Sequence, residues 1–531
     1  MKSRNDKKIE LNSSYPNALS LSERAIKGIL WTGSRTVIIY AVRTFTLMAL
    51  ARLLSPEDFG IMAAAAVIVG FSSALQHLGI GQALVQRSAL ESAHIRAGLT
   101  LSLLFGGVLT LTIWVVAPIV AQFFPFENMV IVLRALASTF FLTGLSVVAR
   151  ALLQREMRFR ALAGLEALSY AVGYVGVAIP LAVFGFKVWA LVGAYLAEVF
   201  VSSVGALLLQ PHDFRPLVNW CAIKQLLNFG GGYTITSIAN YASMQADKIL
   251  VGRLLGPHLL GIYSRAYYFI ATASTLVEST VGRVLFPIMT QLQRDHKQLT
   301  SAYLRSISLI NVILCPIVMV SAAFAPELID VVLGKQWGET VIPFQLLAPG
   351  MWFGALYEIS LCLIKAKGAV YPLGVIQILY FSLIVLGAWL GQRWGVAGVA
   401  GGVMTAMAMN ALLVIVLSLK LIKTTWHSTC SIFVPAVVSG SVLGLWSWII
   451  SKMLRFFNFP SIVTLLIVGL SCVLMWSLFW RLNPNFFFGA SGTEAMRMLV
   501  AKVPLQIQPA VYLLFGRKNF SNNHQPTSGE G

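Results

Sequence analysis

Charge is scarce along this 531-residue chain, and acidic charge most of all. Only 11% of the residues are charged and only 20 are Asp or Glu, whereas 57% are hydrophobic. An ordinary soluble protein carries about 25% charged residues. Because so few charges cannot cover a surface that faces water, the composition predicts that lipid is the solvent for most of the chain. The net charge of +19 therefore does not indicate a nucleic-acid-binding protein, as it would in a soluble chain.

Motifs for metal, disulfide or nucleotide chemistry are absent from the sequence. The five cysteines lie far apart, with no C-x-x-C and no Cys/His spacing typical of a metal site. No G-x-x-x-x-G-K-[ST] loop occurs, which excludes an ATP-driven pump of the P-loop kind. We therefore expect no cofactor and no metal, and an energy source other than bound ATP.

Long apolar runs dominate what is present. A bilayer core needs roughly 20 apolar residues per helix, and about fourteen such runs follow one another with short polar connections. The predicted spans are 27–51, 58–84, 97–121, 128–149, 161–185, 188–209, 225–247, 257–282, 302–325, 341–364, 370–390, 396–419, 430–451 and 460–480. The sequence thus predicts an all-α integral membrane protein with no room for a soluble catalytic domain.

The basic residues predict the orientation of these spans. Most of the 39 Lys and Arg residues fall on the side of the N-terminus, including Arg150, Arg155, Arg158 and Arg160 in one connection. Positive charge concentrates in cytoplasmic connections, so both termini are predicted to be cytoplasmic. The first residues are polar, and the apolar run after them is long enough to span, so no cleaved signal peptide is expected.

An internal repeat divides the chain. The segments 52–61 and 253–262 share the pattern R-L-L-x-P-x-x-x-G-I at a constant offset of 201 residues. Their common positions, to which we assign a structural or gating role, are Arg52, Pro56 and Gly60 in the first copy and Arg253, Pro257 and Gly261 in the second. Six predicted spans separate the copies, so the repeat is parallel, as in transporters whose halves bracket a central path.

This repeat predicts the domain organisation. We expect two six-helix bundles, followed by two additional helices and flanked by two cytoplasmic tails. The predicted ranges are 1–24 for the N-terminal tail, 25–212 and 213–424 for the bundles, 425–482 for the additional helices and 483–531 for the C-terminal tail.

Polar side chains inside the predicted spans are the candidate functional residues, since ionisable groups in a membrane normally face protein or a water-filled cavity. The substrate-binding candidates are Arg35, Arg43, Tyr233, Asn240 and Arg265, and Asp247 is the candidate for ion coupling. Arginine suits an anionic substrate because its planar fork stays charged and binds phosphate bidentately. The alternative is structural: buried ion pairs between helices, snorkelling arginines, and an Asp247 neutralised by Lys248 or Arg253.

Four segments of the chain form a recognisable set: G-I-L-W-T-G-S at 28–34, L-S-P-E-D-F-G at 54–60, G-I-G-Q-A-L-V-Q at 79–86 and Q-A-D-K-I-L-V-G-R-L-L-G at 245–256. They resemble the Wzx-type polysaccharide exporters of the multidrug/oligosaccharidyl-lipid/polysaccharide (MOP) flippase superfamily, in the branch of lipopolysaccharide and colanic-acid-type exporters. The resemblance implies a MATE-like fold and the flipping of an undecaprenyl-diphosphate-linked oligosaccharide across the bacterial inner membrane. It also implies Na⁺ or H⁺ coupling, for which Asp247 is the first acid to test.

Two other functions stay open at this point. One is an ion-coupled multidrug exporter on the same fold, although a surplus of arginine suits cationic drugs poorly. The other is a membrane-embedded polysaccharide polymerase or ligase, although the short external connections leave little room for catalytic residues. The expected partners are membrane lipids, the lipid-linked glycan and the polymerase or chain-length machinery, and no nucleic acid.

Overall fold

The computed structural model describes residues 42–494 except for 77–79, 88–89, 214, 216, 219, 278–281 and 490–492. Both predicted tails therefore lie mostly or wholly outside the described residues, as does most of the first predicted span. The division into bundles at residues 212 and 424 stays a prediction.

The described part of the chain is a succession of helices. The early helices are α1 (42–53), α2 (Pro56–Gln76), α3 (Ile80–Gln86), α4 (Ser92–Phe123), α5 (Met129–Arg155), α6 (Phe159–Tyr170), which continues through a π-helix (Ala171–Ala178) into α7 (Ile179–Val183), and α8 (Val188–Leu209). The later ones are α9 (Trp220–Val277), α10 (Arg283–Gln291), α11 (His296–Ala323), α12 (Ala325–Val332), a 3₁₀ helix (Lys335–Thr340), α13 (Val341–Leu347), α14 (Pro349–Ala366), α15 (Val370–Gly391), a 3₁₀ turn (Gln392–Trp394), α16 (Gly395–Leu421), α17 (Trp426–Phe456) and α18 (Ser461–Leu482).

Nine helical segments among the described residues are long and apolar enough to cross a membrane. One of them, Tyr371–Leu421, contains both α15 and α16, so the nine cover ten of the predicted spans. The prediction of an all-α, multi-pass membrane protein is confirmed, while the count of fourteen spans stays a prediction. The other four predicted spans are those nearest the two repeat copies.

Each repeat copy forms a sharp helical hairpin. In the first copy, α2 begins with a capping box: Ser55 Oγ accepts from the backbone N of Asp58 (3.2 Å), and Asp58 Oδ2 accepts from the backbone N of Ser55 (3.0 Å). In the second, α9 breaks at Gly256, whose φ of 86° is open to glycine but strained for other residues. Pro257 follows the break as Pro56 follows Ser55, at the start of a helix where a missing N–H costs nothing.

We use first half for the helices α1 to α8 and second half for α9 to α16; the two sets pack together mainly through α2 and α9. Within the first half α5 packs on α4 and α8, and within the second α14 packs on α11 and α16. The glycine-rich start of α16 lies against α15: an added Cβ on Gly387 would stand 2.7 Å from the carbonyl O of Gly402. Small residues permit this close approach of transmembrane helices. The terminal helices α17 and α18 pack on each other and, through α17, on α11.

Candidate functional site: a cationic cavity between the halves

A cavity of about 210 Å³ lies between α2 and α9, where the two halves meet. Helix α2 contributes only small apolar side chains, so α9 supplies the chemistry. The polar side chains of α9 that line the cavity are Tyr241, Gln245, Lys248, Ser264, Arg265, Tyr267 and Tyr268. These residues lie on both sides of the Gly256 break, so the bend of α9 brings two separate stretches of the helix to one site.

Arg265 is held between two aromatic rings. Its guanidinium carbon lies 4.7 Å from the ring centroid of Phe59 on α2 and 5.3 Å from that of Tyr268 on α9. An arginine over an aromatic face is attracted by the ring quadrupole, so the rings fix its position without neutralising it. Its buried Nε has no hydrogen-bond partner among the described residues.

Lys248 is a second cation on the cavity wall. Its Nζ donates to Gln245 Oε1 (2.7 Å) and lies 5.2 Å from the ring centroid of Tyr267. Both contacts orient the ammonium group, and neither cancels its charge.

Arg43 reaches the same region from the first half. Its guanidinium carbon lies 5.1 Å from the ring centroid of Tyr170, which stacks on Tyr174 at 4.6 Å. Arg265 interacts electrostatically with this same tyrosine pair. Like Arg265, Arg43 has a buried Nε without a hydrogen-bond partner in the described part of the chain. The two arginines, one from each half, therefore approach one pair of tyrosine rings.

Acidic partners are missing at close range. Among the described side chains, no carboxylate oxygen lies within 4.0 Å of a charged nitrogen of Arg43, Lys248 or Arg265. Glu198 on α8 interacts with Arg43 electrostatically from further away. Buried charges are normally paired because desolvation is costly. Lys248 and Arg265 on the cavity wall, with Arg43 near them, make a region of positive charge, and Nε of each arginine has no hydrogen-bond partner among the described residues.

The predicted site residues fall into three groups. Arg43 and Arg265 come together as described. Asp247 instead faces the protein: Oδ2 accepts from Tyr263 Oη (2.7 Å), and Oδ1 accepts from the backbone N of Lys248 (2.8 Å). The amino group of Lys248 goes to Gln245, so Asp247 is held by hydrogen bonds. Arg35 and the side chains of Tyr233 and Asn240 lie outside the described residues.

The repeat positions meet at the start of α2, about one turn before the cavity residue Ala63. We call this end of the bundle, where the chain turns at Pro56 and Pro257, the hairpin end. An added Cβ on Gly60 would stand 1.8 Å from the carbonyl O of Pro257, and one on Gly261 would stand 1.8 Å from the carbonyl O of Pro56. Only glycine allows so close an approach. The two hairpins thus contact each other reciprocally through their glycines.

Sequence reasoning missed part of the cavity. The candidates it selected on this part of α9 were Tyr233, Asn240 and Asp247, whereas the structure shows Tyr241, Gln245 and Lys248 facing the cavity. These three residues follow an i, i+4, i+7 spacing, the ordinary signature of one helix face, which could have revealed them. No sequence signal marked Phe59 or Tyr170, because a ring under an arginine is a contact between distant segments.

These features define the class: a multi-pass helical membrane protein with a cavity between α2 and α9 that is lined by basic and aromatic side chains. The chain belongs to the polysaccharide biosynthesis protein family, whose model matches residues 49–342. It is 23% identical over 404 residues to the lipopolysaccharide biosynthesis protein WzxC of Escherichia coli strain K12, covering 74% of this chain and 81% of that protein. The predicted Wzx-type resemblance is confirmed.

Two solved structures share the fold. The lipid II flippase MurJ, in an inward closed conformation, aligns with a TM-score of 0.66 and 12% identity over 85% of this chain and 99% of that one. An inward-facing multidrug resistance MATE family transporter of the MOP superfamily aligns with a TM-score of 0.59 and 16% identity over 72% and 94%. At these identities the likeness concerns the fold alone, and the predicted MATE-like fold is confirmed.

Proposed function

We propose that this protein is a flippase that moves an undecaprenyl-diphosphate-linked oligosaccharide across the bacterial cytoplasmic membrane for the synthesis of a surface polysaccharide. The observation that carries the proposal is the pair Arg43 and Arg265 at the junction of the halves, each with a buried Nε that has no hydrogen-bond partner within the described part of the chain. Membership of the polysaccharide biosynthesis family and the likeness to WzxC support the substrate class.

The diphosphate is the part of the substrate that the cavity suits best. Guanidinium groups bind phosphate oxygens bidentately, and Lys248 adds a third positive charge beside Arg265. The tyrosines next to the arginines offer flat apolar faces to the first sugar rings. Binding of the diphosphate would fill the two empty guanidinium donors and offset the desolvation cost of the arginines.

Passage of the glycan requires the halves to move. The cavity of about 210 Å³ is smaller than a typical site for a small ligand, roughly 300–1,000 Å³. An oligosaccharide therefore enters only when the halves part. In our proposal the charge bias of the connections places the hairpin end outside the cytoplasm and both termini inside. Loading then takes place from the cytoplasmic leaflet while the hairpin end is closed.

Asp247 is our proposed coupling acid for Na⁺ or H⁺. Its carboxylate is buried, and Asp247 directly precedes the cavity lysine Lys248. Binding of Na⁺ or H⁺ to this carboxylate would therefore change the charge beside the substrate site. If Asp247 couples transport to an ion, Asp247→Asn abolishes the response of flipping to an imposed pH or Na⁺ gradient. Tyr263→Phe, which removes a hydrogen bond but keeps the acid, retains it. An unchanged gradient response in Asp247→Asn would exclude this role.

A multidrug exporter is the second candidate, since a MATE family transporter shares the fold. The cavity argues against cationic drugs, because Lys248 and Arg265 would repel them.

The polysaccharide polymerase and its chain-length partners are proposed to receive the flipped glycan on the outer leaflet.

The test is leaflet-resolved transport in proteoliposomes that carry a defined undecaprenyl-diphosphate-linked glycan. We expect the purified protein to move the glycan much faster than protein-free or heat-inactivated vesicles, and to leave a cationic dye in place. Dye export without glycan movement would favour the drug exporter and refute the flippase.

A further inference from the structure

One connection at the hairpin end contacts several separate parts of the molecule. It comprises residues 324–340, between α11 and α13, and contains α12 and the 3₁₀ helix; we call it the strap. Trp337, in the 3₁₀ helix near its end, is 0% exposed. The strap belongs to the second half, yet its side chains reach the first.

The strap caps the C-terminus of α1. The last carbonyl groups of a helix lack partners within the helix. Here Trp337 Nε1 donates to the carbonyl O of Ala51 (2.8 Å), and Gln336 Nε2 donates to the carbonyl O of Leu54 (3.0 Å) and also to that of Ala51. The end of α1, immediately before the first hairpin, is thus satisfied by donors from the opposite half.

The strap also holds both repeat hairpins. On the first, Arg52 Nη2 donates to the carbonyl O of Val331 (2.9 Å), and the ring of Phe59 meets that of Trp337 edge-on at 5.4 Å. On the second, His258 Nε2 lies 3.2 Å from Glu339 Oε2. Separation of the hairpins therefore requires the strap to release at least one of them.

The other side of the strap is anchored on the two terminal helices. Glu327 Oε1 lies 2.6 Å from Arg455 Nε and accepts from Ser451 Oγ (2.6 Å), both on α17. Ser461 Oγ, at the start of α18, donates to Asp330 Oδ2 (2.5 Å). Glu327 is only 2% exposed. A buried carboxylate that loses its paired cation strongly destabilises the folded protein. The ion pair of Glu327 with Arg455 therefore fixes α12 to α17.

We propose that the strap is the latch of the hairpin end, and that the terminal helices α17 and α18 hold it in place. The inference rests on the proposed function for its purpose, because the latch would keep the path closed until the substrate is loaded. Its geometry is independent of the substrate. Opening requires Trp337 and Gln336 to leave the end of α1, and the terminal pair sets how easily the strap moves.

The latch is tested by the accessibility of a cysteine in the cavity. Ala63→Cys, one turn along α2 from Gly60, is introduced into full-length protein whose five native cysteines are replaced by serine, and a membrane-impermeant maleimide is applied to each side separately. Trp337→Phe plus Gln336→Ala removes the donors but keeps a ring on Phe59. We expect labelling from the hairpin side to rise by at least about tenfold, as the loss of three hydrogen bonds predicts.

Trp394→Phe is the matched control, because Trp394 lies in the 3₁₀ turn between α15 and α16 and is 73% exposed. We expect it to leave labelling unchanged. Equal labelling rates in the control and the double variant would overturn the latch. Since no glycan is present in this measurement, a failure of the flippase proposal would not affect it.

The anchor has its own variant. Arg455→Met keeps an unbranched apolar stem but removes the charge that pairs with Glu327, and we expect it to raise labelling on the hairpin side as well. Increased labelling in Trp337→Phe plus Gln336→Ala without any in Arg455→Met would refute the role of the terminal helices. If the double variant fails to insert, Gln336→Cys plus Leu54→Cys joined by a short crosslinker tests the same contact. Crosslinking must then prevent labelling of Ala63→Cys, and labelling that persists refutes the latch.

Discussion

The two halves are alike at their hairpins and unlike in the connections beside them. In the first half, α4 and α5 are joined by the short loop 124–128. Phe124 of this loop packs on Gly252, and Arg253 lies over the ring of Phe123 at 5.4 Å. In the second half, the equivalent connection is the strap, which makes directional hydrogen bonds to α1 and an ion pair to α17. The connection in the first half contacts the second half through aromatic rings, whereas the strap is joined to the first half by hydrogen bonds.

This difference shows that two halves with similar hairpins differ in the connections beside the hairpins. The glycine contacts of the hairpins are reciprocal, so neither hairpin alone can bias the closed state. The bias comes from the connections, which are free to differ because they lie outside the repeated helices. A latch on one half allows opening to be controlled from the terminal helices, which have no counterpart in the first half.

The largest expected effect comes from replacing the two glycines at which the hairpins contact each other. Gly60→Ala places a Cβ against the carbonyl O of Pro257, and Gly261→Ala does the same against Pro56. Overpacking of this kind costs about 1–3 kcal/mol, and we expect both variants to unfold at lower temperature in detergent and to lose most flipping. Gly107→Ala is the control, since an added Cβ there meets nothing within 4 Å. A large difference between the two hairpin variants would contradict the reciprocal contact.

The cavity provides a second comparison, between Arg265 and Arg43. We expect Arg265→Gln to lower the flipping rate about 10- to 100-fold, as the loss of hydrogen bonds to a charged group predicts. Arg43→Gln should lower it less, because Glu198 already offsets part of the charge of Arg43. The measurement is the initial rate in proteoliposomes with equal amounts of inserted protein.

Arg134→Gln is the matched control for these arginines. Arg134 stacks on Trp114 at 4.2 Å and donates to its carbonyl O (3.2 Å), apart from the cavity lining. An equal loss of rate in Arg134→Gln would show that arginine removal acts through folding and would remove the distinction.

The smallest expected effect compares the repeat equivalents Arg52 and Arg253. Arg52→Ala loses a hydrogen bond to the strap, so labelling of Ala63→Cys from the hairpin side should rise about threefold. Arg253→Ala loses only an exposed contact with the ring of Phe123, and we expect less than about a twofold change. The reverse order would show that the loop 124–128, and not the strap, controls the hairpin end.

The fold was predictable because its signals are local or repeated. Apolar runs marked the spans, and the R-L-L-x-P-x-x-x-G-I copies located both hairpins, since proline and glycine at those positions define the turn and the close contact. The number of spans and the bundle boundaries stay predictions. Ten of the predicted spans have counterparts among the nine apolar segments.

The site was predictable only in part. Arg43 and Arg265 could be selected as candidates because a charge in an apolar run stands out in the sequence. Phe59 and Tyr170, whose rings hold these arginines, could not be found in this way, because each contact joins distant segments. The same is true of the hydrogen bonds between the strap and the end of α1. Glu327 and Arg455 illustrate the point: 128 positions separate them, and each alone resembles an ordinary residue near a span end.

The most direct test of the central claim, that a cationic cavity recognises the diphosphate of a lipid-linked glycan, compares one glycan on two carriers. The same oligosaccharide is attached to undecaprenyl diphosphate and to a neutral polyprenyl lipid, and the movement of each between leaflets is measured in proteoliposomes of this protein. We predict rapid flipping of the diphosphate-linked glycan and background rates for the neutral one. Equal rates for both carriers would contradict the account, because the arginines would then play no part in recognition.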